Sequence, residues 1–150
     1  YLNRVSGPFL DRIDIGVEVP RQDLGMMAAE KSIDEGSFPQ TERRDSSAVM
    51  RARVMEARAR QEMRFAGESI SYNSQMTRRQ IEEYCRLSGE DAVFLEKVER
   101  QQGISARGHG KILKVARTLA DLDGQAEIGR TQLAEAIGFR SFEKKYWGSL

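Results

Sequence analysis

The sequence predicts a mainly α protein that forms a small helical bundle. Apolar residues recur at helical spacing in several windows, and Ser or Thr stands before these windows as a candidate N-cap. A single good stretch alternates apolar and polar residues as a strand does. The chain has 150 residues, 39% hydrophobic and 31% charged, which suits one compact domain with a core.

The charge balance and the scarce residue types exclude several classes of protein. A net charge of +1 does not fit a uniformly basic protein that coats nucleic acid. Cys85 and His109 are the single cysteine and histidine, which excludes an internal disulfide and a Cys/His zinc site within this chain. No apolar run reaches the ~20 residues that cross a bilayer. We therefore expect a cytoplasmic, metal-free chain with no membrane partner.

The first predicted element is a strand over Ile13–Val19, which follows a turn at Ser6–Pro8 and ends before Pro20. A lone strand leaves backbone groups unpaired, so it requires a sheet supplied by residues outside this chain. We interpret residues 1–20 as the end of a missing core, and the chain, which starts at a Tyr, as a fragment of a longer protein.

A linker and a long helix follow. Residues 21–45 are polar and contain helix breakers, which predicts an inter-lobe linker. Residues 46–65 are predicted to form a helix with two apolar stripes, which is typical of a helix that packs against two bodies. One stripe comprises Met50, Val54, Ala57, Gln61 and Phe65, and the other comprises Ala48, Ala52, Met55, Ala59 and Met63.

Residues 66–150 are predicted to hold four short helices in a bundle. Thr77 and Gln80 form a capping box for the first helix, Ser88 begins the second and Ser105 the third. The fourth spans residues 131–137, with Leu133, Ala134 and Ile137 pointing inward and Gly138 as its cap.

The third of these helices, over Ser105–Leu122, has the clearest amphipathic pattern. Its apolar stripe comprises Ile112, Val115, Ala116, Leu119 and Leu122, and its polar side comprises Arg107, Lys111, Lys114, Thr118 and Asp121. The first turn is unusual because Gly108 and Gly110 each cost ~1 kcal/mol relative to Ala. Arg107 also places a cation at the positive end of the helix dipole, where it is well placed to meet a phosphate.

Two motifs resemble the magnesium-chelatase-like AAA+ ATPases. The Ser105–Arg107 triplet and the ILKVARTLADL run after it are similar to the sensor-2 helix of that family. The SGPFLDRIDI run over residues 6–15 is similar to the family's SGPLLDRIDI and to the SRFD motif of the MCM helicases. This chain departs from the family at His109 and Gly110, where a bulky aromatic and an acid are usual.

The resemblance implies that residues 66–150 are the helical lid of an AAA+ protein and that residues 1–20 end its α/β core. It implies that Arg12 is an arginine finger acting on the nucleotide of a neighbouring subunit and that Arg107 is the sensor-2 arginine. The implied cofactor of the full-length protein is ATP with Mg²⁺. The implied partners are the missing core and identical subunits in a hexamer, and the implied activity is ATP hydrolysis coupled to DNA remodelling or branch migration.

The sequence contains no G-x-x-x-x-G-K-[ST] loop and no apolar strand that ends in paired acids. We therefore expect the fragment to bind no ATP and to be inactive alone, although its parent is an ATPase by resemblance.

Other interpretations remain open. Arg12 could merely pair with Asp11 or Asp14, and Arg107 could be a solvated side chain at a fraying helix end. Without an ATPase role, the chain would be a nucleic-acid-binding or protein-interaction module. Candidate DNA contacts are the arginines of the long helix: Arg51, Arg53, Arg58, Arg60 and Arg64.

Overall fold

A computed structural model describes residues 12–19 and 46–140 of the chain. These residues form five α-helices: α1 (Ser47–Arg64), α2 (Arg78–Tyr84), α3 (Gly89–Gln102), α4 (Ala106–Leu122) and α5 (Arg130–Gly138). A 3₁₀ turn, Asn73–Gln75, lies between α1 and α2. The predicted mainly helical bundle is therefore confirmed for the described part of the chain. None of its helices is long and apolar enough to cross a membrane.

Local sequence signals account for where the helices begin and end. The hydroxyl of Ser46 accepts from the amide of Val49 to cap α1. The Thr77–Gln80 capping box forms as predicted, with the Thr77 amide donating to Gln80 Oε1 at 2.8 Å. Ser88 and Ser105 cap α3 and α4 in the same way. Each of these caps satisfies an amide that has no partner within its own helix.

Helix α4 is the centre of the bundle, because it contacts α1, α2, α5 and the 3₁₀ turn. Its buried apolar residues are Ile112, Leu113, Val115, Ala116 and Ala120. Leu95 of α3 and Leu133 of α5 are as completely buried as Ile112, and each such side chain contributes about 1.5–3 kcal/mol relative to an exposed one. The remaining core comprises Phe65, Met76, Cys85, Ile128, Ala136 and Ile137.

Helix α1 has the predicted bounds but packs against the described residues with one stripe only. Ala57, Gln61 and Phe65 are buried, whereas Met50 and Val54 of the same stripe are half exposed. The second stripe is exposed along its whole length, and Met63 retains 72% of its accessible surface. The N-terminal half of α1 therefore extends beyond the bundle.

The end of the bundle differs in two details from the sequence prediction. Ala134 is exposed, and its place in the core is taken by Ala136. Gly138 is the last residue of α5 rather than its cap, which is Phe139 in a right-handed conformation. The helix extends one residue further than predicted at each end, and it faces the core through positions 133, 136 and 137.

Residues 12–19 form no strand in the described part of the chain, contrary to the prediction for 13–19. The alternating pattern is present, but no described segment pairs with it along a ladder, and a strand needs such a partner. Ile15, Val17 and Val19 are exposed accordingly. The proposed division into residues 1–20, 21–45, 46–65 and 66–150 includes a linker, 21–45, that lies outside the described residues.

Candidate functional site

The first turn of α4 presents Arg107 to solvent. Ser105 Oγ accepts from the Gly108 amide at 3.1 Å, so Ser105 is the N-cap of α4, which begins at Ala106. Arg107 then lies in the first turn with an exposed side chain. An exposed guanidinium at the N-terminus of a helix is an arrangement that attracts phosphate groups.

Gly108 has a packing reason that the sequence did not reveal. It is buried, and a Cβ atom placed there would come within 2.7 Å of Ile104 Cγ2. The Ile104 side chain therefore lies close to the helix backbone at Gly108, and an alanine there would force that side chain to shift. At Gly110 an added Cβ would lie 3.4 Å from Ile81 Cδ1, which is an ordinary contact.

His109 connects the first turn of α4 to the end of α3. Its Nδ1 lies 2.7 Å from Glu99 Oε1, and the histidine side chain is 45% exposed while that of Glu99 is 18% exposed. The backbone carbonyl of Glu99 also accepts from the Gly103 and Ile104 amides. One residue of α3 thus holds both the loop and the turn that carries Arg107.

The segment with Arg12 lies against the same helix. Asp14 Oδ1 accepts from Lys111 Nζ at 2.7 Å, and Lys111 is one helical turn after Arg107. Two further bonds hold the segment to the end of α5: Gly16 N donates to Phe139 O at 2.9 Å, and Arg140 Nη1 donates to Ile13 O at 3.1 Å. Asp14 is therefore paired with Lys111, and Arg12 is exposed beside it.

The five arginines of α1 have different environments. Arg51 and Arg53 are exposed, and the Arg58 guanidinium lies over the Tyr72 ring, 4.0 Å from its centroid. Arg60 Nη1 donates to the backbone carbonyl of Asp121 at 3.2 Å. Arg64 forms a two-pronged ion pair with the Asp121 carboxylate.

A buried polar cluster joins α1 to the end of α4, and the sequence pattern did not predict it. Asp121, assigned to the polar side of α4, is fully buried and accepts from Arg64, Asn73 and Arg117. Arg117 is 2% exposed and donates to the carbonyls of Gln125 and Ala126 at 2.7 and 2.8 Å. Burial lowers the pKa of Arg117, and the nearby Asp121 carboxylate opposes that shift.

The sequence did contain one sign of this cluster. Arg117 and Asp121 are four residues apart, so they are neighbours on the helix surface, and they flank the small apolar residues Ala116 and Ala120. A charge pair within an apolar stripe indicates a buried ion pair. The partners on α1 and on the 3₁₀ turn, 57 and 48 residues away from Asp121, had no such local sign.

An open depression of about 440 Å³ lies beside the cluster, between α1 and the loop after α4. Its lining residues are Arg60, Met63, Arg64, Gly124, Gln125 and Ala126. Arg107 is at the opposite end of α4, about 20 Å away along the helix. A phosphate that contacts Arg107 therefore binds elsewhere than in this depression. Residues 12–19 and 46–140 also contain no group of three His, Cys, Asp or Glu side chains placed to hold a metal.

Comparison with known proteins gives one family and several relatives. Residues 44–140 match the model of the family described as magnesium chelatase, subunit ChlI C-terminal. The chain is similar to the competence protein ComM of Haemophilus influenzae, with 42% identity over 142 residues, which is 94% of this chain and 25% of that protein. It is 38% identical to the uncharacterized protein YifB of Escherichia coli over 144 residues, 96% of this chain and 26% of YifB. The chain thus spans about a quarter of these relatives.

Proposed function

The chain belongs to the family of the magnesium chelatase subunit ChlI C-terminal domain, and we propose that it is the helical lid of a ComM-like AAA+ ATPase. In this proposal Arg107 contacts the phosphates of bound ATP, and Arg12 acts as an arginine finger at the boundary between subunits. The observation that carries the proposal is the contact between Asp14 and Lys111, which brings the segment with Arg12 to the helix with Arg107.

The residues of the site are suited to phosphate. Arg107 is exposed next to helix amides that have no partner within α4, and a guanidinium can donate two parallel hydrogen bonds to phosphate oxygens. Arg12 lies two residues from Asp14. The carboxylate of Asp14 pairs with Lys111, not with the Arg12 guanidinium. The Asp14–Lys111 pair therefore holds the segment with Arg12 against the helix with Arg107.

The chemistry of the reaction belongs to the bound nucleotide, since Mg-ATP supplies the phosphoryl group that is transferred to water. Arg107 would hold the phosphates and orient them, and its positive charge would offset theirs. Arg12 would offset the charge that develops on the γ-phosphate, as arginine fingers do. Because Asp14 and Lys111 hold the two arginine-bearing segments together, we infer that both arginines serve the same nucleotide, bound by the neighbouring subunit of a ring, with a hexamer as the proposed assembly.

The test uses a longer protein that contains this chain and a phosphate-binding loop. We expect Arg12→Ala to reduce ATP turnover by ~10³–10⁵, the range known for arginine fingers. Arg107→Ala should weaken nucleotide binding, and Arg→Lys at either position should rescue poorly because Lys lacks the planar fork. Arg78→Ala is the matched control, since Arg78 is exposed on α2 and pairs with Glu82 at 3.1 Å.

Mixed assemblies distinguish action within a subunit from action between subunits. Subunits with Arg12→Ala are combined with subunits that cannot bind ATP. An arginine finger acting on the neighbour predicts partial recovery of turnover, because some boundaries then pair an intact finger with an intact pocket. Unchanged turnover in the single variants would refute the ATPase role. The fragment alone should show no turnover above background.

A second candidate function rests on the exposed half of α1. Arg51, Arg53 and Arg58 are exposed there, beside the half-exposed Val49, Met50 and Val54. Such a surface could bind either the phosphodiester backbone of DNA or another protein. DNA binding would complement the remodelling activity proposed for the parent, and Arg60 and Arg64 would contribute less because they already bond to Asp121.

The salt dependence of DNA binding distinguishes a DNA-binding surface on α1 from a protein-binding surface. If the arginines contact phosphates, Arg51→Ala and Arg53→Ala should each reduce the slope of log Kd against log salt by about 0.9 on duplex DNA. Arg78→Ala should leave the slope unchanged. Absence of salt-dependent binding by the whole chain would favour a protein-contact surface.

A further inference from the structure

We propose that Glu99 and His109 act as a positioning pair for Arg107, so that affinity for ATP depends on a contact that does not touch the nucleotide. The inference rests on the proposed role of Arg107. It identifies two residues that neither the family resemblance nor the fold assigns to the site.

The first turn of α4 needs support from outside the helix. Gly108 and Gly110 each give the backbone more freedom than Ala would, at a cost of about 1 kcal/mol each. Arg107 is unfavourable at the positive end of the helix dipole. The Ser105 cap satisfies one amide of this turn, that of Gly108. A turn built in this way frays readily, and a fraying turn does not hold a guanidinium in one place.

The pair with Glu99 supplies that support. The 2.7 Å contact from His109 Nδ1 to Glu99 Oε1 joins α4 to α3 at a point two residues from Arg107. The carbonyl of Glu99 accepts from the Ile104 amide at 3.0 Å, so the loop before the cap is held by the same residue. The turn is thereby fixed to the end of a helix whose Leu95 is fully buried in the core.

The geometry also keeps Glu99 from acting directly on Arg107. Residues two apart lie on different sides of a helix, about 200° around its axis. When His109 points to α3, Arg107 projects away from that contact. The carboxylate of Glu99 pairs with His109.

A double-mutant cycle in the longer protein tests the proposal. Binding of a fluorescent ATP analogue is measured for Glu99→Gln, His109→Ala and Arg107→Ala, and for each of the first two combined with Arg107→Ala. We expect the first two changes to raise the Kd roughly fivefold, and to have no further effect once Arg107 is absent, as expected for residues that act through one another. KM should rise in parallel while kcat changes less.

Glu96→Gln is the matched control, because Glu96 pairs with Arg100 at 2.7 Å on the same helix but at an exposed position. It should leave the Kd unchanged. Chemical denaturation of each variant checks that it folds, and Glu99→Gln retains an oxygen acceptor and the side-chain size if His109→Ala proves unstable. Amide relaxation of the 150-residue chain provides an independent measurement, in which Glu99→Gln should raise the mobility of residues 107–110.

The outcomes distinguish failure of the positioning pair from failure of the proposed function. If Arg107→Ala weakens ATP binding but the Glu99 and His109 variants do not, the positioning pair is refuted and the proposed function stands. If the Glu99 and His109 variants weaken binding equally with and without Arg107, they act through general stability and the inference is also refuted. If Arg107→Ala itself has no effect on binding, both the proposed function and the inference fail.

Discussion

Asp121 is the residue on which the buried polar contacts between α1, the 3₁₀ turn and α4 converge. Its carboxylate is fully buried, and Arg64, Asn73 and Arg117 all donate to it. A buried ion pair is weak evidence of stability relative to an apolar alternative, but removing one partner leaves uncompensated charge. Asp121 therefore governs how α1 attaches to α4.

We expect Asp121→Asn to reduce the free energy of unfolding by about 3–5 kcal/mol, because Arg64 and Arg117 would lose the negative charge between them. Urea unfolding of the chain measures the change. Glu82→Gln is the control, since Glu82 pairs with Arg78 on the surface and is 65% exposed, and it should change stability by less than about 1 kcal/mol. An effect of Asp121→Asn as small as that of the control would contradict the central role of this carboxylate.

Cys85 is a buried thiol whose pKa is raised to about 11, mainly by desolvation. At pH 8 the native thiolate fraction should be about 100-fold lower than in the unfolded chain, so a thiol reagent should label native Cys85 correspondingly slowly. The folded state holds this proton more tightly than an ordinary thiol with a pKa of 9.0 does. The contribution of Cys85 to the free energy of unfolding is therefore complete below pH 9, and it is lost as the pH rises through about 11. Labelling at the same rate in buffer and in urea would refute the burial.

At the scale of elements, α4 combines a strongly amphipathic body with a weak first turn. The body packs against three other helices and the 3₁₀ turn, whereas the first turn depends on Ser105, on Glu99 and on two glycines. The proposed function uses that end of α4, since the N-terminus of a helix attracts phosphate groups.

The two glycines of this turn should respond in opposite ways to alanine. Gly110→Ala should stabilise the chain by up to about 1 kcal/mol, because alanine favours the helix and the added Cβ meets only an ordinary contact. Gly108→Ala should destabilise it, because the Cβ would come within 2.7 Å of Ile104 Cγ2. Thermal unfolding of the two variants provides the comparison, each serving as the control for the other. Equal shifts in Tm would show that the Ile104 side chain does not lie so close to Gly108.

For the whole molecule, the important observation is that residues 12–19 and the helical bundle form a connected body. The contacts span the length of the chain, since Arg140 bonds to the carbonyl of Ile13 and Phe139 to the amide of Gly16. The N-terminal half of α1 keeps its apolar residues Val49, Met50 and Val54 about half exposed. The domain thus holds its two proposed phosphate-binding arginines in one unit.

We expect Lys111→Gln to loosen the attachment of residues 12–19 without affecting the core. The ion pair with Asp14 is partly exposed, so its loss should accelerate exchange of the Gly16 amide by up to about fivefold, as for a pair worth at most ~1 kcal/mol. Lys114→Gln is the control, because Lys114 donates to Ser74 O rather than to residues 12–19. Hydrogen exchange measures both. A Gly16 amide that already exchanges like a free peptide in the unaltered chain would contradict the docking.

The sequence by itself determined the helices, the serine and threonine caps at their N-termini and the apolar body of α4. These features depend on groups three or four residues apart: Ser105 with the Gly108 amide, Thr77 with Gln80, and the repeating apolar positions of Ser105–Leu122. Such contacts form within one turn of helix, so a local pattern is sufficient to predict them. The two motifs that resemble the family were likewise recognisable in the sequence, because each is a short continuous run of residues.

Tertiary structure alone decided which charges are buried and which remain exposed. Among the arginines of α1, Arg64 is partly buried against Asp121 while Arg51 is exposed, although both lie between apolar residues of the same helix. Residues 13–19 alternate like a strand, yet form none because no described segment pairs with them. The contact from Arg140 to Ile13 joins residues 127 positions apart. Contacts of that separation depend on how complete helices pack, because only packing brings such distant groups within bonding distance and removes the water that would otherwise solvate them.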